Sequence, residues 1–328
     1  MNPTIAPPPR SVVITGASGG LGAATARELA VRPEWQVILA CRDPARADTL
    51  RLGLQRIARH DVLALQLDLA TLASIRAFPD ALASTGAAPL GALVCNAGVQ
   101  FVSGRVDTVD GFEATFGVNH LGHFLLTRLL LPRLEQGGVV VVVASDTHDP
   151  AQKTGMPDPR FAPAVELARG RETTDDHGLA GRTRYTTSKL CNVLFAYELA
   201  RRLARADSPR QRSLRVLAVD PGLMPGTGLA RDYGPLARLA WSFLLPVATL
   251  FGSNIHTVTT SARALARLLH EPADRWPSGI YVSGGAPKRS SAASYVERDA
   301  LELWTGSSAL LGLPDQLERD PPLAPDSP

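Results

Sequence analysis

Ser11-Val12-Val13-Ile14-Thr15-Gly16-Ala17-Ser18-Gly19-Gly20-Leu21-Gly22 is the stretch that decides the fold. Its first five residues form a short apolar, β-branched run suited to a buried strand, and the helical pattern of Ala23 to Val31 follows the last glycine. Strand, glycine-rich turn and helix thus succeed one another without a break. The glycines, spaced G-x-x-x-G-x-G at Gly16, Gly20 and Gly22, let the backbone approach a ligand closely. The exposed N–H groups and dipole of the next helix's first turn attract a pyrophosphate. A glycine-rich turn also occurs as a mere tight connection, so its meaning depends on what surrounds it.

Working outward, the alternation continues. Strands are expected at Gln36 to Ala40, Val62 to Leu67, Leu90 to Cys95, the five valines Val139 to Val143, Leu214 to Val219 and Gly279 to Val282. Helical patterns separate them at Ala45 to Arg59, from near Thr71, at Phe112 to Leu131, from Tyr185 and at Val258 to Leu269. This order predicts an α/β chain: a single Rossmann-type, doubly wound domain over residues 11–312, with a seven-stranded parallel sheet and helices on both faces. Residues 1–10 read as a disordered, proline-rich lead. Residues 146–184 form a long polar excursion on the substrate side. Residues 223–252, with Trp241, Phe243 and Phe251, are expected to be a lid over an apolar substrate or else a patch for a partner or membrane surface. Residues 313–328, with five prolines, read as a loosely ordered tail.

Composition narrows the function classes. The 34 basic residues balance 31 acidic ones to a net charge of +3 without a basic block, which argues against a nucleic-acid partner. Three cysteines (Cys41, Cys95, Cys191) in apolar surroundings suggest buried thiols in a reducing compartment, taken as the cytoplasm. No C-x-x-C or H-E-x-x-H spacing suggests a metal site. The stretch Leu236 to Gly252 contains Arg238 and Pro246 and falls short of the roughly 20 apolar residues of a membrane span, which leaves peripheral membrane contact open.

Candidate site residues lie at the strand ends. After the second strand comes Cys41-Arg42, where an acid would accept a hydrogen bond from a ribose 2′-hydroxyl; Arg42 instead offers a guanidinium fork suited to a 2′-phosphate, and so to NADP(H). The bland alternative is a solvated arginine partly neutralised by Asp43. Asp68, before Leu69, either contacts an adenine amino group or caps the next helix. Asn96-Ala97-Gly98 suits a backbone passing close to a cofactor ribose, although Asn96 is also a common turn former. Asn119 and Gly122 are locally unfavourable inside a helix and imply a distortion that frees a carbonyl or aims the Asn119 amide at the site. His120 and His123 read as packing or surface residues. Ser145 ends a central strand, where such sheets bind ligands. Tyr185 and Lys189 lie one helical turn apart, so the phenol and ammonium share a face; the positive charge stabilises the phenolate and equips the tyrosine for proton exchange.

Taken together and in order, Thr15-Gly16-x-x-x-Gly20-x-Gly22, Asn96-Ala97-Gly98, Asn119, Ser145, Tyr185-x-x-x-Lys189 and Pro221-Gly222 resemble the short-chain dehydrogenase/reductase family over roughly Ser11 to Val282. Ala40-Cys41-Arg42, Asn119-His120-Leu121-Gly122-His123-Phe124, Ser188-Lys189-Leu190-Cys191-Asn192 and Thr227-Gly228-Leu229 resemble its retinol dehydrogenase and light-dependent protochlorophyllide reductase branch. The resemblance implies a catalytic tetrad of Asn119, Ser145, Tyr185 and Lys189. It implies cofactor contacts from Gly16, Ser18, Gly20, Leu21, Gly22, Arg42, Asp68, Leu69, Asn96, Ala97, Gly98, Tyr185, Lys189, Pro221 and Gly222. The implied reaction interconverts a small hydrophobic carbonyl compound and its alcohol with NADP(H). Leu223 stands where the protochlorophyllide reductases carry a cysteine, which argues against pigment reduction, and Gly226 stands where the family commonly has a threonine. Competing readings are a catalytically silent NADP-binding regulatory protein, a double-bond reductase related to protochlorophyllide reductase, and a nucleotide-sugar epimerase or dehydratase. The last usually carries G-x-x-G-x-x-G at the first turn.

Overall fold

A computed structural model of the chain describes residues 9–170, 174–224 and 256–318. One sheet runs through it in the order β3-β2-β1-β4-β5-β6-β7-β8. Its strands are β1 (Arg10–Thr15), β2 (Trp35–Cys41), β3 (Leu63–Gln66), β4 (Leu90–Cys95), β5 (Leu134–Val143), β6 (Arg215–Asp220), β7 (Ile280–Ser283) and β8 (Ala286–Lys288). The first seven pair in parallel. The order reverses beside β1, so the ends of β1 and β4 flank the crevice where such sheets bind ligands.

Both faces of the sheet are covered, as parallel pairing requires. In β5, Val139, Val141 and Val143 enter one hydrophobic cluster, and Val140 and Val142 enter the other. In β1, Val12 and Ile14 point one way and Val13 the other. Helices α1 (Gly20–Ala30), α2 (Pro44–Gln55) and α3 (Leu72–Ala83) follow the first three strands.

The sheet has eight strands rather than the expected seven, and the eighth is antiparallel to β7. Gly284 and Gly285, both at positive φ (60° and 76°), make the two-residue turn that a tight hairpin needs.

Between β4 and β5 the chain forms α4 (Ala114–Phe116), a π-helical turn (Gly117–Leu121) and α5 (Gly122–Leu130). The distortion expected around Asn119 is this π turn. The excursion 146–184 contains two 3-10 turns, Asp146–His148 and Pro150–Gln152, and helix α6 (Ala164–Arg169). It also contains the start of α7 (His177–Ala204), eight residues earlier than expected. Asp176 caps α7 by accepting the Leu179 N–H at 2.9 Å. Gly178 and Gly181 weaken the helical signal there, and Gly181 is required by packing: a Cβ would overlap the Phe101 carbonyl oxygen. After α8 (Pro209–Ser213) and β6 come α9 (Val258–His270) and, after β8, α10 (Glu297–Leu310).

Helix α10 was not anticipated. Its Trp304 packs edge-on against Phe124 of α5 and stacks on Phe195 of α7. The tail beyond it is tied down through residue 318. The buried Arg128 guanidinium donates to the carbonyls of Pro314 and Gln316 and to the Glu318 carboxylate. The expected lid lies outside the described residues except for Leu223 and Met224, and so do Gly226 and the stretch Thr227 to Leu229. Among the described residues no helix is long and apolar enough to cross a membrane.

Candidate active site

The site is assembled at the carboxyl ends of β1, β4 and β5 and along α7. Gly16 and Gly20 have φ of 65° and 53°, which glycine adopts without strain. Gly16 lies so close to β4's exit that a Cβ would sit 2.8 Å from Ala97 Cα. At Gly22 a Cβ would meet Asn96 Nδ2 and the Gly16 carbonyl oxygen, each at 2.7 Å. Helix α1 starts here with Gly19 as its cap and no side chain closing its first turn, so its leading N–H groups are available to an anionic group. Ser18 and Leu21 belong to this turn.

Thr15 ties the turn to the β4 exit. Its hydroxyl oxygen accepts the N–H groups of Asn96 (2.9 Å) and Ala97 (3.0 Å), and Asn96 Nδ2 donates to the Thr15 carbonyl at 2.8 Å. Asn96 is therefore more than a turn former: its amide locks the first strand to the fourth.

Arg42 is exposed directly after β2, and among the described residues no ion pair engages it. Asp43 forms no ion pair with it; its Oδ1 caps α2 by accepting the N–H groups of Ala45 and Arg46. Cys41 is buried, and burial raises its thiol pKa. Asp68 does not cap α3. Its Oδ1 accepts the Ala70 N–H at 3.0 Å, and the Leu72 N–H at the helix start goes to Asp110 instead. Leu69 is buried, with its carbonyl 2.9 Å from where a Cβ on Gly122 would stand, which brings the π-turn segment close to this strand end. Gly222 turns the chain after β6 at φ 79°, and the Pro221 carbonyl accepts from Ser261 at 2.6 Å.

Tyr185 and Lys189 are both buried on α7, with the Lys189 Nζ 5.5 Å from the Tyr185 ring centroid. Lys189 Nζ donates to the Val143 carbonyl at 3.2 Å. Burial lowers its pKa from 10.5 to about 8, against an upward pull from Asp220, so the ammonium persists at neutral pH. Asn119 Nδ2 donates to Ser188 Oγ at 3.0 Å, and Ser188 donates to the Tyr185 carbonyl at 2.7 Å. The rest of the Asn119 amide is held by Val99, whose N–H it accepts and whose carbonyl it donates to. A Cβ on Gly98 would lie 3.5 Å from Asn119 Oδ1 and 3.7 Å from Lys189 Nζ, so the Gly98 backbone passes close beside both groups. Three of the four tetrad candidates thus converge. Ser145 follows two residues after Val143, whose carbonyl holds Lys189 and Asn192.

Several residues of the site carried no reading from the sequence. The Ser145 carbonyl accepts from His148 Nδ1 at 2.6 Å, and the Ser291 N–H donates to His148 Nε2 at 3.2 Å. Asp146 Oδ1 accepts from the Tyr281 hydroxyl at 2.8 Å, and its Oδ2 pairs with Lys288 at 2.8 Å. Ser283 Oγ bridges the buried Asp146 and Asp220 carboxylates. Burial and those two carboxylates push the Tyr281 phenol far up, so it acts only as a donor. Of the two roles expected for His120 and His123, packing or surface, the structure shows the first: both are buried. Local signals existed only for Thr15, inside the glycine motif, and for Asn192, one turn from Ser188.

A family model described as short chain dehydrogenase matches residues 10–155. The chloroplastic protochlorophyllide reductase of Daucus carota is 33% identical over 323 residues, covering 92% of this chain and 78% of that protein. The chain belongs to the short-chain dehydrogenase/reductase family. The protochlorophyllide reductase A of Oryza sativa subsp. japonica is 34% identical over the same length, covering 80% of that relative. Among solved structures of similar fold, an uncharacterised protein from Mycobacterium paratuberculosis is 33% identical with a TM-score of 0.68, over 94% of this chain and 95% of that one. A short chain dehydrogenase from Burkholderia cenocepacia J2315, solved with NADP, matches at TM-score 0.60 and 24% identity over 84% of this chain and 97% of that one, a likeness of fold. As a family member, the chain carries the glycine turn, the Asn96-Ala97-Gly98 exit and the Tyr185–Lys189 pair in one connected arrangement.

Proposed function

We propose that the chain is an NADP(H)-dependent reductase that interconverts a hydrophobic carbonyl compound and its alcohol, with Tyr185 as the general acid/base. The observation that carries this reading is the convergence of Tyr185, Lys189 and Asn119 at the end of β5 beside the Gly98 backbone. The donor set fits a dinucleotide: uncapped N–H groups of α1 for the pyrophosphate, the Lys189 ammonium for ribose hydroxyls, and Arg42 for a 2′-phosphate. Bound in this way, NADP(H) supplies the hydride.

The chain's own residues handle the proton. Tyr185 delivers it to the carbonyl oxygen during reduction and removes it in the reverse direction. Ser145 orients that oxygen by hydrogen bonding. The Lys189 ammonium stabilises the phenolate that remains. Asn119, held by Val99 and Ser188, supports a water path along which Tyr185 and Lys189 recover the proton from solvent. Three buried, unpaired thiols suit the reducing cytoplasm as the site of action.

A second reading is favoured by the relatives named protochlorophyllide reductase: reduction of a carbon–carbon double bond at the same site, with Tyr185 protonating carbon. Leu223 in place of a cysteine after Pro221-Gly222 weighs against a pigment substrate.

The test is NADPH oxidation, followed by absorbance, with a panel of aromatic and aliphatic aldehydes, ketones, enones and protochlorophyllide. Wild type is expected to reduce carbonyl members. Tyr185→Phe should keep NADPH binding and lose turnover by about 10²-fold or more. Near-normal turnover in that variant refutes the mechanism, and activity confined to enones or pigment selects the second reading.

A further inference from the structure

His123 sits at the first turn of α5, fully enclosed, and touches both halves of the site. Its Nδ1 lies 3.1 Å from the Asn119 carbonyl oxygen and its Nε2 lies 2.9 Å from Thr15 Oγ1. The proton positions follow from the partners. A carbonyl oxygen only accepts, so Nδ1 carries the hydrogen, and in a neutral imidazole Nε2 is then the acceptor. Thr15 then donates to it at 2.9 Å, the shorter of the two acceptor contacts of its hydroxyl, the other being the Val94 carbonyl at 3.3 Å. That leaves the Thr15 oxygen free to receive the Asn96 and Ala97 N–H groups, as it does. Neutrality is secured by burial, which with repulsion from Lys189 holds the imidazole at a pKa of about 4.

The Asn119 carbonyl belongs to the π turn, and the His123 ring reaches back to it across four positions. Helix bonding shifts by one residue there, with the Gly122 N–H reaching Gly117. The same Asn119 extends its side-chain amide to Ser188 and thereby to the Tyr185 backbone. A continuous chain of hydrogen bonds therefore runs from the β4 exit and glycine turn, through Thr15 and His123, into Asn119 and the tyrosine helix.

We propose that His123 is a positioning residue that couples seating of the cofactor at the Thr15–Gly16 turn to alignment of Asn119 in the proton relay. It touches neither cofactor nor substrate. Its Nε2 acceptance keeps the Thr15 hydroxyl oriented, and its Nδ1 donation ties the Asn119 backbone, which carries the relay amide, to the glycine-turn side of the site. The inference rests on the reductase reading above.

The two contacts can be separated chemically. Asparagine places an amide N–H near the position of imidazole Nδ1, and glutamine places an amide oxygen near the position of Nε2. The purified full chain is assayed for NADPH affinity by fluorescence quenching, and for kcat and KM at saturating NADPH with the best aromatic aldehyde found, beginning with 4-nitrobenzaldehyde. His123→Asn should keep kcat within about threefold while weakening NADPH by about tenfold. His123→Gln should do the reverse, holding NADPH affinity and losing kcat by about tenfold, with a displaced pH profile; His123→Leu should lose both. In wild type, nitrogen NMR of the histidines should show a neutral Nδ1–H tautomer for His123 from pH 6 to 8.

Parallel losses of affinity and kcat in the Asn and Gln variants, accompanied by a matching fall in Tm, overturn the proposal in favour of simple packing. So does the absence of change in either, or the Nε2–H tautomer. Tyr185→Phe run alongside separates the two readings. Retained turnover there defeats the reductase mechanism, whereas its loss with silent His123 variants defeats the coupling alone.

Discussion

Lys189→Met should make the apo chain more stable while removing its turnover. In the fold the ammonium is 4% exposed, and burial brings its pKa from 10.5 down to about 8. A gap of about two and a half pH units, at about 1.4 kcal/mol each, means that holding the charge inside costs about 3.5 kcal/mol at pH 7. Methionine fills similar space without a charge. The Val143 carbonyl is not orphaned, because Asn192 Nδ2 also donates to it at 3.1 Å. After allowance for the lost charged hydrogen bond, about 1.5–3 kcal/mol, the expected gain is about 0.5–2 kcal/mol. The sign of the pH dependence follows from proton counting. Below pH 8 both folded and unfolded Lys189 are protonated and the penalty is complete. Between pH 8 and 10.5 only the unfolded chain holds the proton, so wild type gains stability with rising pH relative to the variant. The buried thiols work the other way, with Cys95 raised to about 12, but they are common to both proteins and cancel in the difference. Urea denaturation of both chains without cofactor, in steps from pH 7 to 10.5, measures it. A variant less stable than wild type at pH 7, or a difference independent of pH, refutes the electrostatic reasoning.

Arg42→Ala should weaken NADPH by about 1.5–3 kcal/mol, the loss of a charged hydrogen bond, and leave NADH affinity nearly unchanged in fluorescence titrations; equal losses remove Arg42 from the 2′-phosphate. Gly181→Ala should destabilise the fold by about 1–3 kcal/mol, because its Cβ overlaps the Phe101 carbonyl, and a Tm equal to wild type would show that the 101–102 loop gives way freely.

The readable parts of the sequence were those whose cause is local. Gly16, Gly20 and Gly22 announced a turn because only glycine tolerates their φ or their close neighbours, and five valines announced a strand buried on both faces. Tyr185 and Lys189 announced a shared helix face through spacing alone. The early start of α7 was hidden because Gly178 and Gly181 look like helix breakers, whereas Gly181 answers to a loop some 80 residues away in the chain. Gly284-Gly285 did carry a hairpin signal, but its partner strand is only three residues long and charged at its end.

The candidate site divides in the same way, and the division has a physical reading. Asn119 and Gly122 signalled a disturbed helix from composition, since both disfavour one. Nothing local says what ties Asn119 to the glycine turn, because His123, four residues on, makes the link by reaching Thr15, 108 positions earlier. Asp146 likewise reaches Tyr281 and Lys288 across 135 and 142 positions. Groups that touch ligand are confined to strand ends and so fall into recognisable motifs. The residues that fix those groups only need to complete a buried hydrogen-bond inventory, and many residue types in many places can do that. A buried polar side chain with both of its ring nitrogens used, one on each side of the site, is therefore the feature that only three dimensions expose, and it is also the one whose removal discriminates between a rigid scaffold and a coupled one.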